Sequence, residues 1–165
     1  MTSSQRLQTY NNLERKRIPL EALFFKELRE FFRNESFVIE GLMKAGSSEA
    51  AFLDHLLTRK STLQNLLLKL YANCFASLGS VLSEEVFDMN ALSAQRIAQT
   101  TRNLAAVDVK FIYTPSRVLR IARTEVNTAV NFARHIHASL SGKKSKIWMS
   151  PQDSSVRESH KNVNK

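Results

Sequence analysis

TPSRVLRIARTEVNTAVNFARHIHASLSGKK, running from Thr114 to Lys144, is the stretch whose reading decides the fold class. Thr114 ahead of Pro115 is a helix start: the hydroxyl can accept a hydrogen bond from a first-turn amide, and the fixed φ of proline suits the first helical position. SGKK, residues 141–144, ends the helix with a glycine and two bases. At about 100° per residue, Val118, Ile121, Ala122, Ala129, Phe132, Ala133, Ile136 and Leu140 fall on one face. Arg120, Arg123, Asn127, Asn131 and Arg134 make a stripe on the opposite face. Such a helix needs other helices to cover its apolar side, and the predicted fold class is mainly α.

Glu125 falls in the middle of that apolar face. A carboxylate there must meet a donor or a cation, stay protonated, or lie at the edge of a shallow stripe and reach water, because an unpaired buried charge is very costly. Arg157, the indole N–H of Trp148 and His160 are the partners the sequence offers. The expectation is that the tail folds back and Arg157 or His160 satisfies Glu125.

Working outward, residues 1–18 read as a polar leader, and Pro19 reads as the start of a first amphipathic helix. Its apolar positions are Leu20, Phe24, Leu28, Phe31 and Phe32, continuing through Val38, Ile39, Leu42 and Met43. AGSS, residues 45–48, supplies a C-terminal glycine and an N-cap serine for the next helix. Leu53, Leu56, Leu63, Leu67, Leu70, Cys74, Leu78 and Val81 then predict a second helix of about 35 residues, paired with the first as an antiparallel hairpin. A third helix starts near Ser83 or Met89. After the helix that begins at Pro115, KIWM (residues 146–149) suggests a short strand, and Ser150 to Asp153 has the form of a capping box for a last short helix. The expected organisation is a leader (1–18), a region of long antiparallel helices (19–110), and a C-terminal unit (114–165) made of a helix plus a short strand or loop segment.

Composition agrees with a helical reading. The 165 residues include ten Phe against three Tyr and one Trp, with only four Gly and three Pro. The single Cys74 permits no disulfide and no cysteine-based zinc site, and its neighbours predict a buried thiol. The first residues lack the apolar core of a signal peptide, and no run approaches the ~20 apolar residues of a membrane span, so an intracellular, soluble, non-membrane protein is expected. The net charge of +9 is uneven: four bases against one acid over 1–20, ten against eleven over 21–113, and ten against three over 114–165. Phosphate contact and an acidic protein partner are both compatible with this distribution. The bases and amides open to such contact are Arg120, Arg123, Asn127, Asn131, Arg134, Lys143, Lys144 and Lys146, although helical stripes of this kind are more often simply solvated.

RIARTEVNTAVNFAR (120–134) followed by KIWMSPQDSSVRESH (146–160) resembles the pattern of the phage Mu F-type minor head protein (head morphogenesis) family. In that pattern an A-R-T-E helix with a later Asn precedes W-x-x-x-x-D-x-x-V-R-x-x-H. Arg123, Thr124, Glu125, Asn131, Trp148, Asp153, Val156, Arg157 and His160 stand at the matching positions. The match covers roughly the last third of the chain. The resemblance implies a minor component of a tailed-phage or prophage head, present in multiple copies in the virion. It would act in capsid assembly near the portal and in some cases enter the capsid interior with the DNA. Its partners would be portal, capsid or scaffold proteins, with DNA as a further contact, and the helices of 19–110 would be the docking region. The family's domain usually runs on past the histidine, whereas Lys165 lies five residues after His160; the expectation is an incomplete C-terminal domain.

No catalytic constellation accompanies these residues. His135 and His137 sit two apart on a helix and point to different faces, which disfavours a shared metal. Asp153 and His160 could form an acid–base pair, but no glycine-rich phosphate loop, nucleophile elbow or second carboxylate stands with them. A non-enzymatic chain without metal or cofactor is expected, an assembly component or, alternatively, a basic helical nucleic-acid-binding protein.

Overall fold

The computed structural model describes residues 3–79, 84–140 and 142. Four helices make up almost all of it: α1 (Ser3–Lys44), α2 (Glu49–Ser77), α3 (Glu84–Val107) and α4 (Pro115–Leu140), with a short 3-10 turn at Val109–Phe111. Among the described residues there is no strand, and the mainly α reading holds. The expected KIWM strand and the last short helix lie outside the described residues.

Local chemistry sets the boundaries. Gly46 adopts φ 63°, its amide bonds to the Met43 carbonyl at 3.1 Å, and the Ser47 amide bonds to the Leu42 carbonyl at 3.1 Å. This six-to-one and five-to-two pairing closes α1 in a left-handed turn that only glycine adopts without penalty. Two residues later Ser48 caps α2, its Oγ accepting from the Ala51 amide at 3.3 Å. The second helix is 29 residues long, shorter than expected. It stops before Val81 because Leu78 and Gly79 (φ 68°) turn their amides back onto the carbonyls of the last turn. Thr114 caps α4 as expected, accepting from the Arg117 amide at 3.2 Å.

Pro19 does not begin a helix. It lies inside α1, which is already helical at Ser3, so residues 3–18, read as a polar segment ahead of the helix, are helical and continuous with it. A proline removes one backbone bond and crowds the carbonyl four residues back. Here it faces solvent, and Arg17 clamps the helix across it: Arg17 meets Glu14 at 2.9 Å and Glu21 at 3.0 Å, and donates to Asn127 Oδ1 of α4 at 3.1 Å. Surface pairs of this sort each contribute about 0.3–0.5 kcal/mol, and the contact with α4 adds tertiary support.

The expected antiparallel pairing of α1 with α2 is present. Phe24 stacks on Tyr71 with centroids 6.2 Å apart, and Glu35, further along α1, meets His55 and Arg59, earlier on α2. The more extensive partner of α1 is α4, also antiparallel, through Arg17 with Asn127, Glu21 with Arg123 and Phe32 with Arg117. α3 packs on α2, where Asn90 donates to the Gln64 carbonyl at 3.0 Å. The core is continuous across all four helices, so α4 shares one interior with the helices of 19–110. Phe24, Leu28, Phe32, Leu67, Tyr71, Phe75, Val86 and Val118 are fully or almost fully buried within it. Val38, Met43 and Leu140, read as core positions, are exposed instead. Each lies near an end of its helix, where no neighbouring helix covers that face. Among the described residues no helix is long and apolar enough to cross a membrane.

Because an interior proline costs about 3 kcal/mol relative to alanine, Pro19→Ala is expected to stabilise the protein by roughly 1–3 kcal/mol. Urea unfolding followed by circular dichroism reads this as a raised midpoint. An unchanged midpoint would mean that residues 3–18 do not unfold with the rest.

Candidate functional site: a buried carboxylate beneath a basic face

Glu125 is 1% exposed, as its place on the apolar face predicted. Its partners come from the helical body. The Tyr71 hydroxyl of α2 donates to Oε2, and Arg96 of α3 brings Nη2 to 3.6 Å from Oε1. A phenol has one proton to give, and the short contact with Glu125 takes it. Ser93, 3.3 Å away, is then left to donate its own proton to the phenol oxygen. Arg96 Nη2 also lies 3.5 Å from Ser93 Oγ, so three helices converge on one carboxylate. Burial, then the Glu125 charge and the hydrogen bond to it, push the Tyr71 hydroxyl well above the usual tyrosine range. One turn further along α2, burial pushes the Cys74 thiol up to about 12, making it an inert packing group as expected.

Two turns before Glu125, the same helix buries Arg117. Its side chain donates from Nη1 to the Ile112 carbonyl at 2.6 Å and from Nη2 to Thr101 Oγ1 at 2.7 Å. The guanidinium also lies over the Phe32 ring, 4.5 Å from its centroid. Burial, and then the charge of Arg120, lower its pKa to about 10. Arg117 therefore ties α1, α3, the 3-10 turn and α4 together with neutral partners. A third buried polar group, Glu35, joins α1 to α2: Oε1 pairs with His55 Nε2 at 2.9 Å and Oε2 with Arg59 Nε at 2.7 Å. Arg59 at the same time covers Phe31, 4.7 Å from the ring centroid.

The opposite face of α4 is exposed along its length, at Arg120, Arg123, Thr124, Asn127, Asn131 and Arg134. Part of the stripe is engaged by α1: Arg123 Nε lies 3.4 Å from Glu21, and Asn127 accepts from Arg17. Arg120, Asn131 and Arg134 face solvent. Between α3 and α4 a groove of about 860 Å³ is lined by Met89, Leu92, Ser93, Arg96, Gln99 and Thr128, so both α3 residues of the Glu125 cluster also line it. No group of three His, Cys, Asp or Glu side chains suited to a metal ion occurs among the described residues.

Of the motif positions, the structure brings Arg123, Thr124, Glu125 and Asn131 onto α4, with Glu125 inward and the other three outward. Trp148, Asp153, Val156, Arg157 and His160, and the bases Lys143, Lys144 and Lys146, lie outside the described residues. The expected pairing of Glu125 with Arg157 or His160 falls there too, but Glu125 already has both a donor and a cation in Tyr71 and Arg96. Sequence reasoning missed Tyr71, Arg96, Arg117 and the Glu35 cluster. Glu35 carried the same signal as Glu125, since it falls between Phe31, Phe32 and Ile39 on the apolar face of α1. No family model matches this chain, nor does any curated protein or solved structure match it significantly. Glu35, Arg117 and Glu125 each find polar partners inside the bundle, while Asn90 Oδ1 has none among the described residues, and cations and amides lie outside.

Tyr71→Phe leaves Glu125 with the exposed Arg96 alone and is expected to cost about 1–3 kcal/mol at neutral pH. In the folded protein Tyr71 holds its proton more tightly than in the unfolded chain. The stability this contributes is full below the ordinary tyrosine pKa of about 10 and is lost as pH rises above it. The stability gap between wild type and Tyr71→Phe should therefore narrow in urea titrations taken from pH 8 upward past that value. Arg117→Ala is expected to cost about 2–4 kcal/mol by leaving the Ile112 carbonyl without its donor, removing the bond to Thr101, whose hydroxyl keeps only Ile97, and uncovering Phe32. Arg117→Lys should not restore it, because an ammonium has no planar fork to bridge the two acceptors. Thermal and urea unfolding of both variants checks this.

Proposed function

We propose that this chain is a minor head (head morphogenesis) protein of a tailed phage or prophage. In this reading it is a structural component that docks through its helices on the portal, or on capsid or scaffold proteins, during head assembly. The resemblance of Arg123, Thr124, Glu125 and Asn131, with Trp148 to His160, to the Mu F-type pattern supports the phage assignment. The observation that carries the docking role is the contrast between interior and surface. Glu35, Arg117 and Glu125 are taken up by side chains of neighbouring helices, while Phe37, Leu92 and Val107 stand 78%, 68% and 75% exposed. Buried polar groups of this kind build a rigid bundle, and large exposed apolar side chains are what a protein partner covers.

A specific observation favours a second reading, nucleic-acid binding. Arg120, Asn131 and Arg134 stand exposed on one face of α4, in the part of the chain with ten bases against three acids. Phosphate contacts are made by residues of this type.

A nuclease-treated pull-down against the portal protein of the same phage or prophage, at low and at high salt, separates the two. Helix packing should lose little between the two salts, whereas a complex bridged by phosphates loses about 10³–10⁵ in affinity over a comparable rise. Retention at high salt is the expected result. Loss on nuclease treatment or modest salt would give the protein to the nucleic-acid reading.

A further inference from the structure

Of the nine large apolar side chains most exposed among the described residues, three line two adjoining hollows: Phe37, Met43 and Val107. They belong to the last third of α1 and the end of α3, next to the 3-10 turn. Two hollows of about 570 and 630 Å³ meet there, sharing Ser36, Glu40 and Tyr113. Phe37 lines the first, with Met43, Val107 and Val109 in the second. The first hollow continues along α1 past Arg33 and Arg29 to Lys26. From Lys26 to Met43 the groove follows about 25 Å of α1, the length of a helix of about 17 residues.

The charges along this groove are polarised. Two of its carboxylates are already paired, Glu40 with Lys44 at 2.6 Å and Asp108 with Lys110 at 2.7 Å. Lys26, Arg29 and Arg33 are exposed, and no described residue holds any of them in an ion pair; Arg29 only rests over the Phe25 ring, 5.8 Å from its centroid. Glu30 is the single acid among them. One end of the groove thus presents cations and the other an apolar floor. We propose that it is the docking site for an acidic amphipathic helix of a partner protein, with carboxylates toward Lys26, Arg29 and Arg33 and an apolar stripe on Phe37, Met43 and Val107. This rests on the assembly reading above and names the surface that performs it. A nucleic-acid backbone fits the groove less well, because its apolar end around Phe37, Met43 and Val107 would give phosphates no contact.

The test uses the full chain and three fluorescent probes. One is a synthetic peptide of about 18 residues with a leucine stripe and a glutamate and aspartate face, one keeps the stripe but carries lysine, and one is duplex DNA of similar length. Fluorescence anisotropy should show the acidic peptide binding best. Phe37→Ser with Val107→Ser, and separately Arg29→Glu with Arg33→Glu, should each weaken it by at least about tenfold. All four positions are exposed, so the variants are expected to keep the helical circular dichroism spectrum of the parent. Equal binding of acidic and basic peptides, preference for DNA, or acidic-peptide binding that survives both variants would overturn the proposal. Adding the same variants to the portal pull-down separates the two readings. Portal retention that the variants leave intact would overturn the groove and keep the assembly role. Groove binding of the acidic peptide without portal retention would keep the groove and remove the assembly role.

Discussion

The hydrogen bond from Tyr71 to Glu125 is the constraint to which the rest of the structure conforms. It sets the position of α4 along α2, because a carboxylate on the buried face of α4 has few neutral or cationic groups within reach. With that position set, Ser93 and Arg96 of α3 complete the site from the third side, and Phe75 meets Phe132 a turn or two further on. Apolar packing alone would tolerate a slide of one helical turn along these alanine-rich and leucine-rich faces. A single buried acceptor does not tolerate it, since sliding would leave it unpaired.

Arg117 and Glu35 extend the same logic to the other contacts. Arg117 works between α1, α3 and α4, and Glu35 between α1 and α2. Each pair of packed helices is thus joined by apolar area, which supplies most of the stability, and by at least one polar contact, which supplies position. The outer surface shows the opposite economy. Its polar stripe on α4 is partly tied to α1 through Arg17 and Glu21, and Phe37, Met43 and Val107 stand exposed around the hollows between α1 and the end of α3.

The helical class, three of the boundaries and the burial of Glu125 were legible in the sequence because each depends on neighbours a few residues away. Thr114 with Pro115, Ser48, and Gly46 act through one turn of backbone. The partners of Glu125 were not legible, because Tyr71 is 54 residues distant and sits among leucines, where an aromatic reads as core. Arg117 was not legible either, because Thr101, 16 residues earlier, and Phe32 of α1 are what make it a buried tie. Pro19 misled for a different reason. Its preference for a first helical turn is a statistical property of isolated segments, and here α4 and the ion pairs of Arg17 hold the helix through it.

The contact between Arg17 and Asn127 joins residues 110 apart in the chain, and the first helix leans more heavily on the last than on its immediate neighbour. This has a consequence for the order in which the protein forms. During synthesis α1 emerges first, yet the surface it packs against most is made only after α2 and α3 are complete. Until then the apolar row of Leu20, Phe24, Leu28 and Phe32 has only α2 to cover it, and a nascent chain in that condition is open to the aggregation and misdocking that accompany late long-range closure. Docking of α4 on α1 is thus a long-range step that waits on the helices between them.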